Sequence, residues 1–110
     1  MPTSQSDLLQ GTLDLLILKA LALQELHGMG ISRRIAQMTD ATFDVKPGSL
    51  FPALHRMEEA GWIRAEWVTK DTGRRARIYE LTAAGKKQLA AEESRWVMVT
   101  SAVNRILRTV

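Results

Sequence analysis

A chain of 110 residues, 45% hydrophobic and 25% charged, has the size and balance of one globular domain and no room for a second. Without cysteine it can form neither disulfides nor thiolate metal sites, and this suits a reducing cytoplasm. A formal charge of +3 would mean little if evenly spread, but the cations gather between residues 70 and 77, where they favour a polyanionic partner.

The N-terminal MPTSQSD has no basic region and no cleavage pattern. The leucine-rich run from Leu8 to Leu26 is interrupted by Gln10, Asp14, Lys19, Gln24 and Glu25, so it reads as a soluble helix rather than a membrane span. Its apolar residues, Leu8, Leu9, Leu13, Leu15, Leu16, Ile17, Leu18, Leu21 and Leu23, surround most of its circumference. One core-facing stripe cannot use them all. Either a second copy of the chain covers the surplus, with Leu8, Leu9 and Leu15 at the interface, or the domain's own helices pack on both sides.

A second helix is predicted from about Gly28 to Thr39, burying Ile31, Ile35 and Met38 and turning Arg33, Arg34 and Gln37 outward. On a DNA-binding domain Arg33 and Arg34 would meet phosphates; otherwise they are an ordinary solvated face. Residues 40–45 carry turn formers and no period.

At about 100° per residue, the segment 46–63 gathers Leu50, Ala53, Leu54, Met57 and Ala60 on one stripe, with Pro52, His55, Arg56 and Glu59 opposite. Such a helix, with Lys46 before it and Ser49 at its start, can enter a DNA major groove. Ser49 is the preferred cap, leaving Pro52 in the first turn; the alternative begins at Pro47, with Pro52 distorting the next turn. Gly61 ends the helix. Phe51 lies off the apolar stripe. It is either half covered by the segment around Val45 or free to touch a thymine methyl or a sugar.

Residues 62–68 and 77–81 are rich in strand formers and make a two-stranded hairpin joined through Asp71-Thr72-Gly73. Lys70, Gly73, Arg74, Arg75 and Arg77 give it a basic tip and shoulder. Alone, that tip would be a device for keeping a sheet edge soluble; beside the preceding helix it suggests a wing lying along phosphates or in the minor groove.

The last helix begins near Thr82, a good cap, and runs close to the C-terminus. Leu89, Trp96, Val103 and Val110 recur at seven, with Val99 and Ile106 between them, although Glu92 interrupts the first intervening site. This seam argues for association of two helices. No catalytic set emerges: the two histidines, His27 and His55, sit on different elements, and a His55–Glu58 pair is more ordinary as a surface contact than as a metal site. No cofactor or metal is expected.

Five segments in order, GTLDLLILKAL at 11–21, HGMGISRRI at 27–35, GSLFPALHRMEEAGWI at 48–63, GRRARIY at 73–79 and LTAAGKKQL at 81–89, resemble the PadR family of bacterial transcriptional regulators, in particular its short members. The resemblance implies a mainly α, α+β winged helix-turn-helix fold. Residues 1–82 would form the DNA-binding unit of three helices and a two-stranded wing, and residues 83–110 a dimerisation helix packed with the partner's N-terminal helix. It implies a non-enzymatic homodimer that represses transcription, its own gene included, from a roughly palindromic operator. Carried onto matching positions, Ser49, Phe51, Pro52, His55 and Arg56 become the recognition-helix set, and Gly73, Arg74 and Arg75 the wing. Family members that stack flat aromatic ligands at the dimer interface point to Trp96 as a place for a planar hydrophobic effector, against its simpler role as a packing anchor. Phe51 and Met29 stand where the family usually has tyrosine, so neither can make a phenolic hydrogen bond. A winged-helix module that binds protein instead of DNA is the alternative, separable by the salt dependence of binding.

Overall fold

Residues 5–109 are described by a computed structural model, with side chains from Gly11 onward. Of the residues expected at a dimer seam, the side chains of Leu8 and Leu9, and Val110 altogether, lie outside the described residues. The elements run α1 (Gln5–Leu23), β1 (Leu26–His27), α2 (Gly28–Met38), α3 (Pro47–Glu59), β2 (Ile63–Thr69), β3 (Arg75–Leu81) and α4 (Ala83–Leu107).

The core forms where apolar stripes of α1, α2 and α3 meet the base of the sheet: Ile17, Leu18, Ile31, Leu50, Leu54, Met57 and Ile63 are fully enclosed, with Tyr79 and Leu89 closing two sides. Among the described residues α1 packs on α2, α3, α4 and β3 together, so Leu13, Leu15 and Leu16 lie half-buried against this core, whereas Leu23 is half-exposed. Leu26 is in β1 rather than in α1.

The hairpin has antiparallel register from Ile63↔Leu81 to Thr69↔Arg75. Its loop closes through Gly73 N–H to the Lys70 carbonyl and Lys70 N–H to the Arg74 carbonyl, and Gly73 takes the left-handed φ of +83° that such a turn needs. The sheet has three strands, not two: β1 adds to the far edge of β3 through Leu26↔Tyr79 and His27↔Ile78. That edge strand ties the start of α2 to the wing.

Two helix details differ from the sequence reading. Helix α3 starts with Pro47 in its first turn after Lys46, which offers no side-chain cap, so Ser49 is inside the helix and so is Pro52. Pro47 needs no amide there, and its fixed φ favours helix initiation. Met38 is half-exposed and Ser32 buried in its place, because Ser32 Oγ donates to the Val45 carbonyl at 2.9 Å and draws the α2–α3 connection onto that face.

Thr82 caps α4 by accepting from Gly85 N–H, as its position suggested, and Thr82 Oγ1 also donates to the Gly61 carbonyl. Gly85 is required there: a Cβ would stand 2.0 Å from the Trp62 carbonyl oxygen. Only the first third of α4 is buried. Glu92 is tolerated inside because Gln88 and Arg95 both donate to it. Beyond it the helix leaves the domain, and the molecule measures 61 × 28 × 25 Å.

Candidate nucleic-acid interface

On α3, Gly48, Pro52, His55 and Glu59 fall at helical spacing and are all exposed, with Ser49 and Phe51 beside them. A Cβ on Gly48 would meet nothing within 4 Å, so the first turn is open to the close approach of another molecule. Opposite, Leu50, Ala53, Leu54 and Met57 are buried. The expected division of this helix into a core stripe and an open face is present except at its end, where Ala60 is exposed beyond α3, and at Arg56, which leaves the open face.

Phe51 is covered from an unexpected side. Its ring lies over the first residue of α2, where a Cβ on Gly28 would stand 2.7 Å from Phe51 Cε1. The glycine admits the ring, the ring spaces the start of α2 from α3, and part of its surface still faces outward.

His27, which sequence reasoning left unassigned, holds the same corner. Its Nδ1 accepts from Gly30 N–H at 3.1 Å, capping α2. Only the neutral imidazole can accept there. Its pKa is lowered by burial first, then by the positive fields of Lys70 and Arg33. Those two charges belong to the wing turn and to α2, so one cation of each lies near the corner where Phe51 packs on Gly28.

The predicted contact residues divide according to what already engages them. Lys46 pairs with Asp44 at 2.6 Å. Arg77 donates to Glu58 of α3 at 2.8 Å, pinning the wing's base to that helix. Arg56 turns inward: its Nη2 and Nη1 reach the two carboxylate oxygens of Asp14 at 2.7 and 3.0 Å, and the hydrogen bond raises the guanidinium pKa against the effect of burial. Arg33, Arg34, Lys70, Arg74 and Arg75 have no ion-pair partner among the described residues. Of the cations expected to meet DNA, these five are left without a carboxylate, although Arg34 is half-buried with its Nε enclosed and unpartnered. His55 pairs with Glu59 at 3.1 Å, not with Glu58, in a contact exposed on both sides. Among the described residues no group of three or more metal-ligating side chains comes together, and no helix is long and apolar enough to cross a membrane.

The far half of α4 carries the other expected surface. Trp96, Val99, Val103 and Ile106 are exposed along one face, with Val97, Met98 and Leu107 beside it, and Ile106 is 74% exposed. Leu89 of the same heptad is buried in the domain's own core.

The chain matches the transcriptional regulator PadR-like family over residues 17–91. It is 27% identical over 100 residues to an uncharacterised protein of Lysinibacillus sphaericus, which spans 91% of this chain and 92% of that protein. To a transcriptional regulator of Mycobacterium tuberculosis it is 35% identical over 76 residues, 69% of this chain and 67% of that one. Among solved structures it is similar to a transcriptional regulator from Clostridium thermocellum, with a TM-score of 0.84 and 26% identity over 93% of this chain and 99% of that chain. A PadR-like transcriptional regulator from Bacillus cereus gives 0.79 and 27% over 94% and 98%.

Proposed function

The chain belongs to the transcriptional regulator PadR-like family, and from that premise we propose that it acts as a homodimeric repressor on a roughly palindromic operator, one α3 helix entering the major groove of each half-site. What supports this reading is the open face of α3 together with Arg33 and Arg34 on α2 and Lys70, Arg74 and Arg75 on the wing, which have no carboxylate partner among the described residues. Clustered, unpaired cations beside a groove-sized helix suit a phosphate backbone; charges balanced internally would not.

Base reading falls to Ser49, Pro52 and His55, with Phe51 at the groove edge, and backbone contact to Arg33, Arg34, Lys70, Arg74 and Arg75. The exposed seam of α4 supports dimerisation, since an apolar face of that length in water favours a second copy. Trp96, half-exposed on that seam, is where a planar hydrophobic effector would stack; unchanged relief of DNA binding by such compounds in Trp96→Leu would exclude it. In this reading the protein works in the cytoplasm.

Binding of the purified protein to its own upstream DNA, against random duplex and over a range of salt, tests the proposal. Preference for the upstream fragment and a steep fall of affinity with salt are expected. Salt-independent binding, or none, would exclude DNA as the partner.

A further inference from the structure

Residues alternate across β2, so Ile63, Ala65 and Trp67 share one face, opposite Leu81, Tyr79 and Arg77 on β3. At the base of the hairpin this face is core: Ile63 and Tyr79 are buried. Toward the tip it emerges, and Trp67 is 57% exposed. The fold does not account for so large an apolar side chain in water at the middle of a wing.

What surrounds the indole is cationic. The Arg75 guanidinium carbon lies 4.8 Å from its ring centroid and that of Arg77 5.9 Å. The two arginines are in different states. Arg77 also lies over Tyr79, 5.8 Å from its ring centroid, and donates through Nη2 to Glu58 of α3, while its Nε is enclosed without a partner. Arg75 touches the ring and has no carboxylate partner among the described residues. On the opposite face Arg64 is likewise consumed, by Glu80. A guanidinium held by its π face keeps all its N–H donors, which lie in the plane of the group and point away from the ring. Seated over the indole, Arg75 is held beside the ring without spending a donor on any carboxylate among the described residues. The same ladder, from Glu58 through Arg77 and Trp67 to Arg75, refers that position to the recognition helix.

We propose that Trp67 is a positioning residue of the wing, an aromatic shelf that holds the Arg75 guanidinium edge-outward toward a DNA phosphate. This rests on the DNA-binding reading above. The shelf lowers the cost of immobilising a long side chain at the moment of contact, so its effect is on affinity and is exerted only through Arg75.

The test is a double-mutant cycle on the full-length protein, read as affinity for a random-sequence duplex at low salt. Trp67→Leu, which keeps an apolar side chain on the strand but removes the π face, should weaken binding about two- to five-fold for each wing, the factor that an exposed cation–π contact supplies. Trp67→Phe should retain most of the affinity. In an Arg75→Ala background Trp67→Leu should cost nothing further. Losses that multiply would show Trp67 acting independently of Arg75, and an unchanged Trp67→Leu would show it idle; either result overturns the proposal. Both variants are judged at equal thermal midpoints, and a Trp67→Leu loss that tracks a lowered midpoint and persists without Arg75 assigns the indole to wing stability instead. Failure of the parent protein to bind the duplex is a different outcome, since it removes the DNA-binding reading and the shelf with it.

Discussion

Arg56 of α3 and Asp14 of α1 form a two-point ion pair at the edge of the core, with the Asp14 side chain 8% exposed. Since α1 also packs along α4, this pair joins the helix offered to DNA to the helices at the expected dimer seam. Removing the guanidinium leaves a buried carboxylate uncompensated, which costs far more than losing a surface pair. Arg56→Ala should therefore destabilise the protein by about 3 kcal/mol, the low end for a broken buried pair because the arginine side is partly exposed. Urea denaturation measures this. The salt slope of DNA binding should not change. A variant of parental stability whose slope falls by about one unit would return Arg56 to the DNA contacts.

That pair also marks where the sequence stopped being informative. A helical wheel places Arg56 on the polar side of α3, and nothing local distinguishes a groove-facing arginine from one whose partner lies 42 residues away. The elements that were legible are those set by neighbours in sequence: the Thr82 cap, the Gly73 turn, and most of the apolar stripes of α2 and α3, whose last members Met38 and Ala60 are exposed. The start of α3 was ambiguous because Pro47 and Ser49 both satisfy local rules, and the choice went to the residue needing no amide. Strand β1 is two residues long and exists only by pairing with β3, so no periodicity announces it. His27 was invisible for the same reason: its cap, and the charges around it, are brought together by the fold.

Positioning and reading should separate between Arg74 and His55. Arg74 sits in the wing turn without an ion-pair partner among the described residues, so Arg74→Ala should weaken operator and random DNA alike and lower the salt slope by about 0.9. His55, exposed on the open face of α3 and paired with Glu59, would meet base edges in the proposed complex. His55→Ala should reduce the preference for operator over random DNA by about 1–3 kcal/mol. Equal losses on both DNAs would move His55 to the backbone contacts.

The His27 cap carries a pH dependence of defined sign. Because the folded-state pKa is lowered, the native protein binds fewer protons than the unfolded chain as pH falls below the ordinary histidine value, and stability falls with it. The contribution is complete above about pH 6.5 and disappears as pH drops through the folded-state value. Protonation removes the acceptor for Gly30 N–H and adds a cation beside Lys70 and Arg33. Asparagine caps a helix without titrating. His27→Asn should therefore be less sensitive than the parent between pH 8 and pH 5 when unfolding free energies are compared. Parallel profiles would mean that His27 does not contribute to the pH dependence.

Val103 tests assembly, because it lies on the exposed stretch of α4 at the heptad spacing shared with Trp96 and is 49% exposed in the single chain. Its environment in the isolated domain imposes no penalty on a charge, so Val103→Asp should fold with near-parental thermal stability of the monomer unit. In a dimer the same aspartate would be buried against its symmetry mate with nothing to pair it, and two like charges in an apolar seam oppose association. Sedimentation should therefore show monomers. Operator binding depends on holding two recognition helices about one turn of DNA apart, so it should fall steeply, while the weak attraction of each basic face to random duplex survives. A Val103→Asp protein that sediments as a dimer and binds operator normally would place the association surface elsewhere.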